Sequence, residues 1–235
     1  MFNTFVFYPM TNILVFLTAL LGGNIGIAVV VMTVLVKVIL LPFSYSTTKS
    51  QIAIKKIQPL IDDIKKKHSD KEEQSKKILE LYKEHNTNPL SGCLPLIIQL
   101  PIIIALYRVF LQGVSVDSSV LYSFVHAPEN ISNIFLGVNM TSKSAVIAIL
   151  AGVTQYIQLR LSPSMQKTAE SQVDTNNKPD MMENMQKSMK YTLPFLITMF
   201  AWAVPAAVAL YWVVTNIFTI IQEWWINKKL VKKTA

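Results

Sequence analysis

A single lysine interrupts an otherwise apolar stretch of the chain, and its charge is the first feature that could do chemistry. From Ile25 to Phe43 the only strongly polar residues are Thr33 and Lys37. A charge at the centre of a membrane span costs on the order of 3 kcal/mol on insertion scales, so such residues usually face a bundle interior or water. Lys37 therefore marks either a functional site inside a membrane protein or a side chain that snorkels to the membrane surface.

Polar side chains recur at a similar depth in further apolar stretches. Counted from the charged end of each stretch, Lys37 and Gln99 both lie about 10 Å deep at ~1.5 Å per residue. Five more polar residues occupy the same half of their stretches: Gln155, Gln158, Thr215, Asn216 and Gln222. We predict that these side chains line one hydrophilic groove that opens toward the charged loops and is closed at the opposite end. The nearest carboxylate, Glu223, falls at the predicted membrane edge, so we expect Lys37 to lack a buried anionic partner.

The residue patterns that carry enzymatic chemistry are missing from the sequence. The three histidines, His68, His85 and His126, lie in separate loops, and no serine is accompanied by a base. There is no nucleotide-binding P-loop, and the single cysteine, Cys93, excludes an internal disulfide. We therefore expect no enzyme, no metal and no cofactor.

The elements that hold these residues are predicted to be membrane-spanning helices. Hydrophobic residues make up 51% of the 235 and charged residues 15%, whereas a soluble domain carries roughly 25% charge. A helix needs ~20 residues to cross ~30 Å of hydrocarbon, so we predict an all-α membrane protein; a buried soluble helix is the alternative for the first stretch. Five spans are predicted, at 24–48, 91–112, 144–161, 190–204 and 205–226. They are connected by a cytoplasmic helical hairpin (49–90), an extracytoplasmic loop (113–143) and a cytoplasmic loop (162–189). An N-terminal amphipathic interfacial helix (1–23), for which an extra span is the alternative, precedes them, and a basic tail (227–235) follows.

The distribution of basic residues sets the predicted orientation. The segment 49–83 holds ten lysines, whereas 112–142 contains neither lysine nor arginine. Because basic loops stay in the cytoplasm, we predict that the N-terminus lies outside and the C-terminus inside. The net charge of +8 is then mainly a topology signal, and attraction to anionic lipid or RNA is secondary. The tail from Lys228 to Lys233 is either a membrane anchor or a contact for ribosomal RNA.

The first charged loop carries the pattern of a helical hairpin, although a solvated spacer is the alternative. Ile54, Ile57, Ile61 and Ile64 are spaced three and four residues apart, which gives one narrow apolar stripe on a helix. The run from Ser69 to Glu72 has the form of a capping box that opens a second helix. Because the stripe is too thin for a self-sufficient core, we expect the hairpin to be mobile.

A motif at the start of the second span gives the chain a family resemblance. The run Asn88-Pro-Leu-Ser-Gly-Cys-Leu-Pro-Leu-Ile-Ile-Gln-Leu-Pro101 strongly resembles the YidC/Oxa/Alb family of membrane protein insertases, as does the last span from Pro205 to Trp212. The resemblance implies a short bacterial YidC-type protein without a large periplasmic domain. It also implies five core helices around a hydrophilic groove open to cytoplasm and lipid, and we place Trp212 among the groove residues.

The same resemblance implies a role for the intramembrane charge. In the family a positive residue at the position of Lys37 receives polar parts of the incoming chain, and it is usually arginine. A lysine is a point charge, so a charge role should survive the change while bidentate carboxylate binding weakens. The implied function is an insertase and chaperone that works as a monomer without nucleotide hydrolysis and releases clients sideways between spans three and five.

Partners and rival functions follow from the same resemblance. The implied partners are nascent membrane proteins and lipids, possible further partners are the ribosome and the Sec translocon, and no specific nucleic acid is expected. A small-solute or anion transporter or channel that uses Lys37 is the alternative function, and a structural membrane scaffold is a third.

Overall fold

Helices make up most of the structure, which confirms the predicted helical class. The computed structural model describes residues 1–68, 70–88, 94–112, 120–128, 130–162 and 181–234. A π-helical turn, Asn3–Phe7, leads directly into the first α-helix. The helices are α1 (Tyr8–Leu20), α2 (Ile25–Ile39), α3 (Leu41–Lys67), α4 (Lys71–Glu84), α5 (Leu94–Gln112), α6 (Ala145–Leu161), α7 (Met181–Ala203) and α8 (Ala206–Thr234). Two short antiparallel strands, β1 (Ile134–Phe135) and β2 (Val138–Asn139), form a tight hairpin between α5 and α6.

Two helical segments are long and apolar enough to cross a membrane, namely Asn3–Leu20 and Ala206–Lys229. A third candidate is the pair α2 and α3, if the bent pair is counted as one span. The apolar parts of α5, α6 and α7 are shorter, at Ile97–Leu111, Ala145–Leu161 and Tyr191–Ala203. Length and composition therefore give two or three spans, and the five-span core stays a prediction.

A 63° bend separates α2 from α3. The straight part of the first predicted span ends at Ile39, and α3 begins at Leu41 with Pro42 in its first turn. Proline has no N–H for a helical hydrogen bond and suits the first turn of a new helix. The helix thus changes direction earlier than the boundary predicted after residue 48.

The longest helix, α8, is the centre of the bundle. It packs against α2, α3, α5, α6 and α7. Its first turn is made of small residues, Ala206 to Ala209, that are fully buried. Small side chains let neighbouring backbones approach closely, so this turn fixes the position of α8 among its neighbours.

Backbone hydrogen bonds close one end of the bundle, which we call the loop end because it is covered by residues 130–144. The amide of Ala207 donates to the carbonyl of Met140 at 2.9 Å, and the amide of Ile25 donates to that of Ser132 at 3.2 Å. The ring of Phe135 packs so closely on Gly26 that a Cβ there would lie 2.3 Å from it. The opposite end, where α2 bends into α3, is called the hairpin end.

The N-terminal helix packs along the bundle. Leu14 and Val15 of α1 are fully buried, and α1 contacts both α2 and α5. Asn12 ties it to the segment after α5, because its side chain donates to the carbonyl of Val120 and accepts from the amide of Tyr122. The segment is long enough to span a membrane, so its interfacial placement stays a prediction.

The charged loop forms two packed helices, α3 and α4. Ile57 and Ile61 of the predicted stripe are buried together with Leu81. The cap of α4 is Asp70, which accepts from the amide of Glu72 at 3.3 Å; Ser69, predicted to open the capping box, lies outside the described residues. This small cluster is separate from the main core.

Candidate functional site

Four polar residues follow one another at every fourth position along α8, and we call them the α8 ladder: Tyr211, Thr215, Thr219 and Glu223. Residues four apart lie on the same face of a helix. The hydroxyl of Thr219 donates to the carbonyl of Thr215 at 2.8 Å, the local bond that lets threonine sit in a helix interior. The ladder therefore presents one polar face in the middle of the bundle.

Lys37 contacts this ladder directly. It lies in the last turn of α2, is half-buried, and its Nζ donates to Thr219 Oγ1 at 3.3 Å. The ammonium is thus directed at α8 and held by a side chain of the bundle. This direction favours the interior interpretation of Lys37 over snorkelling to the membrane surface.

Glu223 is the carboxylate nearest to Lys37. It is buried, with 9% of its surface exposed, and Ser162 Oγ donates to its Oε1 at 3.3 Å. Its Oε2 is buried and has no hydrogen-bond partner among the described residues. The charges of Lys37 and Glu223 lie within electrostatic range of each other. The sequence predicts no buried anionic partner for Lys37; α8 nevertheless carries a buried carboxylate close to it, although within the described residues the two groups form no ion pair.

Gln99 reaches the ladder from α5. Its Nε2 donates to the hydroxyl of Tyr211, which is 1% exposed. A buried phenol normally requires a hydrogen-bond partner, and the predicted groove residue Gln99 supplies it. The contact joins α5 to α8 at Tyr211, the residue of the α8 ladder nearest the loop end.

The polar residues of α6 face the other side of α8. Trp212 Nε1 donates to Gln155 Oε1 at 3.2 Å, and Gln155 Nε2 donates to Gln158 Oε1 at 3.1 Å. Asn216 is buried and its Nδ2 donates to Thr154 Oγ1 at 3.1 Å. The bonds of Trp212 and Asn216 link α6 to α8 over about one turn of α8.

Seven of the eight predicted site residues are thus joined through α8 or lie on it next to the joined groups. Lys37, Gln99, Gln155 and Gln158 come from three other helices, and Trp212, Thr215 and Asn216 belong to α8 itself. The eighth, Gln222, is buried on α8 but, among the described residues, shares no hydrogen bond with the others.

Sequence reasoning missed Thr219, Glu223, Thr154 and Ser162. Thr219 and Glu223 could have been found from the four-residue spacing that begins at Tyr211, because polar residues at that spacing share a helix face. Ser162 carried no signal, since its contact with Glu223 joins positions 61 residues apart.

The lateral exit between the third and fifth spans stays a prediction, and the structure shows how tightly these two spans are joined. These spans are α6 and α8, which pack closely and are joined by the bonds of Trp212, Asn216 and Ser162. A client cannot pass between them without breaking these contacts. Large apolar side chains are exposed instead on α5 and α7, for example Leu100 and Phe195.

An apolar cavity of about 290 Å³ lies elsewhere, between α6 and α7. Its lining includes Gly152, Val153, Pro194 and Phe195. It is distinct from the α8 ladder, so the hydrophilic groove around Lys37 stays a prediction.

Comparisons with known proteins agree with the resemblance seen in the motifs. The sequence pattern of the 60Kd inner membrane protein family matches residues 16–233. The chain is similar to the membrane protein insertase YidC of Oceanobacillus iheyensis, with 30% identity covering 98% of this chain and 85% of that protein. The YidC of Fusobacterium nucleatum is 32% identical, over 88% of each chain.

A solved structure is similar as well. A crystal structure of an active YidC insertase with its first transmembrane domain resolved aligns with a TM-score of 0.61 and 27% identity. The alignment covers 92% of this chain and 44% of that one, so the chain spans less than half of the protein in the crystal.

Proposed function

This chain belongs to the 60Kd inner membrane protein family, and on that premise we propose that it inserts nascent membrane proteins into the bilayer. Its named relatives are membrane protein insertases, and the chain is a bacterial inner membrane protein with apolar helices. The observation that carries the proposal beyond the family is the position of Lys37, a positive charge directed at a polar ladder inside an apolar bundle.

The proposed mechanism shortens the dry path that a client must cross. A client has to move a short polar segment, often acidic, through ~30 Å of hydrocarbon. The polar side chains around α8 offer that segment hydrogen bonds and water over the hairpin-end half of the membrane. Lys37 offsets the charge of an acidic segment during the transfer, which is the step with the largest desolvation cost.

The client's own apolar segment drives the reaction to completion. Burial of apolar surface in lipid is favourable by about 25 cal/mol per Å², so no nucleotide hydrolysis is required. The apolar segment leaves into lipid along the exposed faces of α5 and α7, which carry Ile97, Leu100, Phe195 and Met199. This replaces the exit between α6 and α8.

The proposed orientation places the hairpin end in the cytoplasm. The lysine-rich α3 and α4 lie at that end, and the loop end is nearly free of basic residues. The five core spans are then α2, α5, α6, α7 and the first part of α8, with α1 at the membrane surface. Nascent clients are the substrates, the ribosome and the Sec translocon are candidate partners, and a monomer is the proposed working unit.

Reconstitution tests the function directly. Purified protein in liposomes is mixed with a ribosome-free small client that has a short acidic outer segment, without ATP, and protease protection of that segment is measured. If the protein is an insertase, the protease-protected fraction of the outer segment rises with the amount of protein in the liposomes, and empty liposomes give no protection. Ion or solute flux without client protection would indicate a transporter or channel instead, and neither activity would indicate a scaffold.

A further inference from the structure

We propose that Glu223 is the resident counter-ion of Lys37 and sets how strongly this protein discriminates between acidic and neutral clients. The inference rests on the proposed function, in which Lys37 receives the acidic segment of a client. The carboxylate of Glu223 is a second charge at this site. Lys37 attracts an acidic segment, and Glu223 repels it.

The two charges lie one helical turn apart along α8. Lys37 Nζ bonds to Thr219, and Glu223 follows Thr219 by four residues, a rise of about 6 Å at ~1.5 Å per residue. Within the described residues the ammonium and the carboxylate form no direct ion pair. The negative charge of Glu223 therefore acts on the ammonium of Lys37 without binding it directly. The N–H groups of Lys37 that do not donate to Thr219 remain available to another anion.

The carboxylate is held firmly in this place. Ser162 donates to Oε1, whereas the buried Oε2 has no hydrogen-bond partner in the part of the chain that the structure describes. A buried, incompletely bonded carboxylate is costly unless a cation is near.

Other basic side chains near Glu223 are directed elsewhere. The ammonium of Lys228 lies over the ring of Trp224 and that of Lys229 over the ring of Trp225, at 5.0 and 5.1 Å from the ring centres. Arg160 on α6 is exposed. Among the described side chains, Lys37 is thus the basic group whose charge acts on Glu223.

Competition follows from this arrangement. An acidic client that approaches Lys37 meets the negative field of Glu223, whereas a neutral client does not. Glu223 therefore weakens the capture of acidic segments and keeps them from being trapped, so that they leave once the apolar part is in lipid. Selectivity between two clients is a difference of their affinities, and Glu223 reduces that difference.

The test uses Glu223→Gln, which keeps the shape of the side chain and its bond from Ser162. The clients are a matched pair whose outer segments differ only by two aspartates or two asparagines, and the readout is the ratio of acidic to neutral insertion in proteoliposomes. We expect Glu223→Gln to raise this ratio about threefold, the size of effect seen for residues coupled through a shared network. The control Glu80→Gln, on the exposed face of α4, should leave the ratio unchanged.

A double variant shows whether the effect acts through Lys37. In a Lys37→Gln background, Glu223→Gln should no longer raise the ratio. An unchanged ratio in the single variant, or an equal rise in both backgrounds, overturns the inference while insertion by the parent leaves the proposed function intact. If the parent inserts neither client, both proposals fail.

Accumulation of the variants provides a second readout. If Glu223→Gln does not accumulate but Lys37→Gln/Glu223→Gln does, then Lys37 requires its counter-ion and the inference holds. If both variants fail to accumulate, the role of Glu223 is structural and the inference is overturned.

Discussion

The two ends of the helix bundle differ in what α8 presents to its neighbours. At the loop end, Ala206 to Ala209 are fully buried, and backbone bonds from Ala206 and Ala207 join α8 to the segment before α6. Toward the hairpin end, the same helix presents the α8 ladder to Lys37, Gln99 and Ser162. One helix thus combines a closely packed apolar turn with a polar face.

Under the proposed function, this difference lets one bundle seal the membrane at one end and admit polar groups at the other. Close packing of small residues leaves no room for water, so in the proposed mechanism the loop end keeps the membrane barrier closed. Polar side chains that bond to one another across helices tolerate the entry of a polar segment, because hydrogen bonds can be exchanged. The predictions that follow alter one end while leaving the other in place.

The largest functional effect is expected from reversing the charge at the hairpin end. Lys37→Glu should lower insertion of acidic clients at least about tenfold, because like charges brought together cost several kcal/mol. Lys37→Ala should lower it less, and Lys37→Arg should keep it. Protease-protection yields for the acidic and neutral clients measure the effect. Equal handling of acidic clients by Lys37→Glu and the parent would show that Lys37 is only an anchor.

The second prediction concerns stability at the loop end. Gly23 has φ +82°, and a Cβ there would lie 2.0 Å from the carbonyl oxygen of Asn130. Gly23→Ala should therefore reduce the free energy of unfolding by about 3 kcal/mol, from backbone strain plus displacement of the loop. Gly22 has φ +69° with open space around it, so Gly22→Ala should cost only about 1 kcal/mol. Denaturant titration in detergent measures both, and equal losses would contradict the packing described here.

The smallest effect is expected from a substitution in the hairpin of α3 and α4, because its apolar cluster is separate from the main core. Ile61→Ala should speed hydrogen exchange in α3 and α4, because among the described residues this cluster has only two other buried apolar side chains, Ile57 and Leu81. Exchange in α8 from Tyr211 to Thr219 should not change. Even in the parent, exchange at 55–83 should be faster than in the bundle, and equally slow exchange in both would mean that the hairpin is rigidly docked.

Much of the site was predictable because a polar residue in an apolar helix requires a partner. This reasoning found Lys37 and Gln99, which the structure joins to α8, and Asn216, which joins α8 to α6. It misjudged Glu223, since nearness to the basic tail suggested a surface residue, whereas α8 extends through the bundle and buries it. Position along the chain is a poor guide to depth when a helix continues beyond the apolar stretch.

Long-range contacts of the fold could not be predicted in the same way. The bond from Asn12 to the carbonyl of Val120 joins residues 108 apart, and nothing in either local sequence specifies the other. Pro42 marks a place in the sequence where a helix can bend, but the angle of the bend depends on how α2 and α3 pack. Local chemistry thus predicted which residues matter, and the packing of helices decided which of them meet.

Labelling of single cysteines tests the contrast between the two ends most directly. In a Cys93→Ser background, cysteines replace Lys37, Gln99, Gln155 and Asn216 in turn, and Ala207 and Val208 serve as loop-end controls. A membrane-impermeant thiol reagent is added from either side of the membrane. We expect the first four to react from the cytoplasmic side only and the two controls to be inert from both sides. Labelling of the four from outside, or the same inertness as the controls, would contradict a water-accessible polar site at the hairpin end.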